Sequence, residues 1–261
     1  MNILKKAFAD GRPALGLWQA LATPYTAEIC AHAGFDWLMF DGEHAPNTLQ
    51  TLLGQLQAVA PFSLEPVARP PIGDPVLIKQ YLDIGFRSLL IPMVDSADQA
   101  QRLVAATRFP PAGIRGVASA TSRASGFGSR PDYLARTHED ICLIVQIESR
   151  AALENIEAIA AVPGVDALFI GPADLAGSLG YLGRSGDPVV QDAIAKALGR
   201  IRAANKPAGI FAVDVADARA RIDAGAAFVS IGTDIGLLSN GARALLNACR
   251  SPQGSSSSLA Q

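Results

Sequence analysis

Eight short apolar runs, each followed by an amphipathic stretch, set the tightest limit on how this chain can fold. The runs are Ala14–Trp18, Trp37–Phe40, Pro66–Ala68, Ser88–Met93, Cys142–Ile147, Ala167–Ile170, Ala208–Val213 and Phe228–Ile231. Each is short and bounded by turn residues, as a strand buried on both faces requires. The intervening segments carry helical spacing and helical punctuation. Pro24–Ala33 follows a capping Thr23, Thr48–Val59 spaces its leucines three and four apart, and Asp74–Leu82 stops ahead of Gly85. Helices are likewise predicted over Ser96–Thr107, Arg150–Ala161, Val189–Ala204, Asp214–Ala224 and Leu237–Cys249.

Strands alternating with helices predict an α/β fold, and eight repeats predict a single-domain (β/α)8 TIM barrel over residues 1–250. The competing doubly wound sheet would carry a glycine-rich phosphate turn after its first strand. Here that position reads Gln19-Ala20-Leu21-Ala22-Thr23, without glycine. Two segments break the rhythm. Phe109–Arg136 is long and rich in proline and glycine, which suits a lid or a subunit contact. Residues 251–261 contain four consecutive serines and read as a disordered tail.

Composition excludes several partners. Lys and Arg number 22 against 24 Asp and Glu, with no basic block, so neither nucleic acid nor an anionic membrane is expected. No apolar stretch reaches the length of a membrane span, and none follows Lys5 and Lys6 as in a signal peptide. Cys30, Cys142 and Cys249 are far apart, with neither disulfide nor zinc spacing. They read as small buried side chains in a protein of the reducing cytoplasm.

In a barrel of this kind the chemistry sits at the C-terminal strand ends. The second run closes on Asp41-Gly42-Glu43-His44, the third on Arg69, the fifth on Gln146 and Glu148, and the sixth on Gly171-Pro172-Ala173-Asp174. Gln146 and Glu148, two apart, share a strand face. Asp174 follows one strand–helix unit later, so two carboxylates converge into a hard oxygen site suited to Mg²⁺ or Mn²⁺. Taken singly, Glu148 is equally a rim salt bridge and Asp174 a helix cap. His44, beside Asp41 and Glu43, suits a general base, or alternatively caps a helix starting near Pro46. Arg69 on a stiff Pro70-Pro71 turn suits an oxyanion grip, or an interstrand salt bridge. No lysine lies within an apolar run, which argues against a Schiff-base mechanism, and no P-loop motif is present. Phe211, at the end of the seventh run, either narrows a pocket or fills the core.

At these residues the sequence resembles the HpcH/HpaI aldolase family of the phosphoenolpyruvate/pyruvate superfamily. The matching segments include Trp37–Asn47, Val67–Pro70, Leu89–Val94, Gly113–Gly116, Gln146–Glu148 and Phe169–Leu175. They run in order along nearly the whole chain apart from its serine tail. The resemblance implies a homohexamer whose last helix packs on a neighbouring subunit. It implies a class II pyruvate aldolase with a divalent metal, Mg²⁺ or Mn²⁺ with Co²⁺ a third option, on Glu148 and Asp174. It implies reversible cleavage of a 4-hydroxy-2-oxo acid to pyruvate, or hydroxypyruvate, and an aldehyde. Arg69 would bind the keto oxygen, Gln146 the pyruvyl part, and the amides around Ala173 and Asp174 the carboxylate. His44 would be the acid/base group, acting through water on the metal and paired with Asp41 or with Asp83, the latter from an adjacent subunit. A citramalyl- or malyl-CoA-type lyase of the same superfamily is the alternative, with a catalytically silent binding barrel a third reading.

Overall fold

The runs pair edge to edge in chain order, as short parallel strands joined by helices must. The protein is described here by a computed structural model that covers residues 2–250. Its strands are β1 (Ala14–Gln19), β2 (Trp37–Asp41), β3 (Glu65–Arg69), β4 (Ser88–Ile91), β5 (Cys142–Ile147), β6 (Ala167–Ile170), β7 (Ala208–Phe211) and β8 (Phe228–Thr233). All pair in parallel, and β8 closes on β1. The helices are α1 (Ile3–Ala9), α2 (Pro24–His32), α3 (Leu49–Val59), α4 (Pro75–Asp83), α5 (Ala97–Thr107), α6 (Tyr133–Asp140), α7 (Arg150–Glu154), α8 (Ile156–Ala160), α9 (Pro172–Ser178), α10 (Pro188–Ala203), α11 (Val215–Asp223) and α12 (Asp234–Arg250). The predicted barrel is the fold observed.

Several boundaries differ from expectation. The fourth strand ends at Ile91, two residues early, because Met93 turns to φ 55°. The seventh ends at Phe211 rather than Val213. The helix predicted over Arg150–Ala161 is interrupted at Asn155, whose side-chain amide donates to the carbonyls of Asp95 and Ala151. Helices α1, α6 and α9 were absent from the sequence reading. The α6 helix takes in His138. Among the cysteines only Cys142 is buried; Cys30 is half-buried and Cys249 exposed. The serine-rich tail lies outside the described residues. No helix among those described is long and apolar enough to cross a membrane.

Strand alternation divides the apolar side chains into two cores. One parity faces the helices: Leu38, Phe40, Leu89, Ile91, Leu143, Val145, Leu168 and Ile170 pack under the outer ring. The other fills the barrel: Trp18, Trp37, Met39, Val67, Leu90, Ile144, Phe169 and Phe228. Helix α1 plugs the N-terminal end of the barrel. Leu4 and Ala7 are buried there, and the Phe8 ring lies 5.2 Å from that of Phe228. The Asn2 side chain caps α1 and donates to Glu65 and Ser88.

So many interior rings demand missing side chains beside them. Gly16 faces Trp37, and a Cβ there would fall inside the indole. Overpacking of a filled interior costs about 1–3 kcal/mol. Gly16→Ala is expected to lower the unfolding free energy by that amount in urea denaturation; an unchanged midpoint would show that the indole can move aside.

Candidate active site

The inward parity that fills the barrel also selects what reaches its C-terminal mouth. Continued upward from Met39, Val67, Ile144 and Phe169, it places Asp41, Arg69, Gln146 and then Glu148 and Gly171 there. Asp41 and Arg69 are register partners on β2 and β3. Their side chains form a two-pronged ion pair, with Arg69 Nε 3.0 Å from Asp41 Oδ1 and Nη2 2.9 Å from Oδ2. Arg69 Nη1 lies 2.9 Å from Glu43 Oε2. The guanidinium also stacks 5.0 Å from the centre of the Trp18 ring, whose far contact is Phe211, edge-on at 5.4 Å. Arg69 is 6% exposed, so its charge is held by two acids and an indole rather than by water. The interstrand salt bridge weighed for Arg69 is therefore present at the barrel mouth.

The loop Gly42–Asn47 is folded around Asp41. The Asp41 carboxylate accepts the backbone N–H groups of Glu43 and His44. The Asn47 side chain donates to the Asp41 carbonyl. Burial alone would push Asp41 up, but the hydrogen bonds and charge of Arg69, with the two amides, outweigh it and hold the carboxyl below its ordinary value. Glu43 goes the other way. Burial raises it, and repulsion from Asp41 and Asp174 assists against the pull of Arg69 and His44.

His44 is largely open to solvent, with its Nε2 3.6 Å from Glu43 Oε2. It caps no helix; α3 begins at Leu49 and is capped by Thr48. Within one chain neither expected carboxylate partner meets its ring. The oxygens of Asp41 are taken by Arg69 and by backbone amides. Asp83 ends α4, so it lies toward the opposite end of the barrel, where it accepts from Arg115 Nη2 at 2.7 Å. Glu43 is the acid beside His44, and the sequence reading had noted it only as a neighbour.

On the other side of the mouth, Glu148 is 2% exposed. Its Oε1 accepts the Met93 N–H at 2.8 Å and its Oε2 accepts from Gln146 Nε2. The left-handed turn at Met93 that shortened β4 is what aims this amide. Gly171 completes the fit, because a Cβ there would collide with the Glu148 carboxylate and the Gln146 amide. Asp174 stands in the first turn of α9, not at its cap, which is Gly171. Glu148 is pushed up to about 7, chiefly by burial and further by the charges of Asp174 and Glu43, against the Met93 and Gln146 hydrogen bonds.

This corner has the chemistry of a cation site. Glu148 and Asp174 repel one another, and neither forms an ion pair among the described residues. Gln146 Oε1 is a buried acceptor with no hydrogen-bond partner. No group of three or more His, Cys, Asp or Glu able to hold a metal occurs among the described residues. Two carboxylates with positions left for substrate and water are what Mg²⁺ or Mn²⁺ accept, so the donors present fit such an ion.

The fold and the mouth define an acid-lined α/β barrel enzyme, and comparison with known proteins gives its family. The profile of the HpcH/HpaI aldolase/citrate lyase family matches residues 14–241. A hydroxypyruvate/pyruvate aldolase of Deinococcus radiodurans is 58% identical over 94% of this chain and 88% of its own length. A 4-hydroxy-2-oxo-heptane-1,7-dioate aldolase of Salmonella paratyphi B is 53% identical over 94% of this chain and 93% of its own. A solved HpcH/HpaI family protein of Burkholderia cenocepacia superposes with TM-score 0.93 at 43% identity, over 96% of this chain and all of that one. The chain belongs to the HpcH/HpaI aldolase/citrate lyase family, and its enzyme class is that of the carbon–carbon lyases.

A pH test follows from Glu148. Its folded value of about 7 lies above the ordinary 4.5, so the stability it contributes to the metal-free protein is full below pH 4.5 and gone above pH 7. Glu148→Gln removes that loss. In EDTA the variant is expected to gain on the wild type as pH rises through this window, by on the order of 3 kcal/mol at pH 8. Parallel thermal denaturation profiles from pH 5 to about 8 would contradict the assignment.

Proposed function

We propose that this chain is a divalent-metal-dependent class II aldolase. It cleaves 4-hydroxy-2-oxo acids reversibly to pyruvate, or hydroxypyruvate, and an aldehyde. The observation that carries this reading is one mouth holding a buried arginine, a cation-seeking pair of acids and a solvent-open histidine. The named activities of the aldolases more than half identical to this chain support it.

In cleavage, the C4 hydroxyl loses its proton, the C3–C4 bond breaks, and its electrons move toward the C2 oxygen to give an enolate. Protonation of C3 then yields the keto acid. His44 takes the hydroxyl proton; its ring faces solvent, with Glu43 beside it. Arg69 faces the enolate oxygen. Two of the five guanidinium N–H donors are committed to Asp41 and Nη1 is ion-paired with Glu43, which leaves donors for the substrate. Because those acids fix the fork in advance, little reorganisation accompanies charge development. Gln146 binds the pyruvyl part. The amides of Ala173 and Asp174 precede the first hydrogen bond of α9, Leu175 N–H to Gly171 O, and receive the substrate carboxylate. Phe211, half-buried at the end of β7, narrows the aldehyde side. A divalent cation on Glu148 and Asp174, Mg²⁺, Mn²⁺ or Co²⁺, supplies Lewis acidity at the keto oxygen when bound.

The assembly is a homohexamer in this reading. Leu237, Leu238, Leu245 and Leu246 on α12 are all exposed, which supports packing of the last helix on a neighbour. Asp83 would serve a catalytic mouth only from such a neighbour. The three free cysteines support a cytoplasmic setting.

The test is release of pyruvate or hydroxypyruvate from 4-hydroxy-2-oxo acids. His44→Ala is expected to lower kcat by about 10²–10⁴, with Mn²⁺ affinity and thermal stability unchanged. Cleavage at wild-type rate in this variant would remove His44 from the mechanism.

A further inference from the structure

The segment Phe109–Arg136, expected as a lid or a subunit contact, cannot cover its own catalytic mouth. It joins α5 to β5, and connections from helix to following strand lie at the N-terminal end of a barrel. There it builds a second cavity, of about 880 Å³, against the start of β4 and β5. Five arginines line it: Arg87, Arg115, Arg123, Arg130 and Arg136.

Three of them have their charge matched. Arg87 pairs with the buried Glu65, Arg136 with Glu139, and Arg115 with Asp83. Arg123 and Arg130 form no ion pair among the described residues; each donates from Nη1 to a backbone carbonyl, of Ile84 and Ala124. Their forks are thereby anchored while most of their donors stay uncommitted. Burial, and then the charge of Arg130, lower the Arg123 guanidinium from its ordinary value. Two like charges are thus held near one another, and Asp132, Glu139 and Asp140 also line the cavity.

The wall behind them is rigid. Arg115 is 2% exposed, braced between the rings of Phe109 and Tyr133, with Nη2 donating to Asp83 and to the Tyr133 hydroxyl. Its Nε–H has no partner. That atom is closed off from the cavity, so Arg115 serves as a fixed part of its wall.

We propose that this cavity binds a small oxyanion bearing two or more negative charges, clamped by Arg123 and Arg130. Planar guanidinium forks match phosphate and carboxylate oxygens. Phosphate groups and dicarboxylates share the required chemistry. The site lies at the opposite end of the barrel from this chain's own mouth.

Inorganic phosphate is the first probe, followed by calorimetry on the full chain at ionic strength held constant with sodium chloride. Saturable binding is expected in the wild type, weakened about tenfold for each arginine removed, in Arg130→Gln and in Arg123→Gln/Arg130→Gln. Keto-acid cleavage should be unchanged in both. Succinate in place of phosphate distinguishes a dicarboxylate ligand from a phosphate one. Arg130 is exposed, so its single variant keeps the test open should the double variant fail to fold. No saturable binding of either anion would overturn the proposal. So would binding that survives both substitutions but is lost in Arg69→Lys, since it would then belong to the catalytic mouth.

Discussion

Strand parity is the constraint on which everything else here rests. In a closed barrel every second residue points inward, and the interior is already full of rings. Apolar side chains fill the middle levels, and inward-facing charged groups stand at the strand ends, Glu65 at the start of β3 and Asp41 and Arg69 where β2 and β3 run out. Asp41, Arg69, Gln146 and Glu148 are the continuation, by twos, of Met39, Val67 and Ile144. The candidate active site is therefore the last level of the core.

Within that level the two sides are electrostatically unlike. On one side Arg69 is matched and stacked: two acids and an indole fix its plane. On the other, Glu148 and Asp174 repel, and burial pushes Glu148 toward neutrality. The first side is an interaction already made, rigid in the free protein. The second is a repulsion that a bound cation would relieve. Glu43 lies between them, feeling Arg69, His44, Asp41 and Asp174 together. An enolate between a fixed guanidinium and a bound cation would find its charge answered from both directions.

Much of this was legible in the sequence because it follows from period and position. The eight runs gave the barrel, and the polar residues closing them gave Asp41, Arg69, Gln146 and Glu148. What was not legible depended on backbone turns and missing side chains. Met93 reads as strand, yet its left-handed turn supplies the amide on Glu148. Gly171 matters for the Cβ it lacks. Trp18 reads as core, and only the closure of β8 on β1 and the pairing of β1 to β3 through β2 bring it beneath Arg69. Glu43 was masked by His44 next to it. Helix α6 lies in a segment that reads as loop: it is only eight residues long and buries none of them, so it carries no core-facing apolar stripe to reveal it.

The most direct test of the central claim is exchange of pyruvate methyl protons with D₂O, followed by NMR in EDTA and again after Mn²⁺ is restored. The account predicts no exchange in EDTA and rapid exchange with metal, since enolate formation needs only the keto acid and the mouth described here. Exchange that proceeds equally in EDTA, or fails with both pyruvate and hydroxypyruvate in the metal-loaded enzyme, would contradict it.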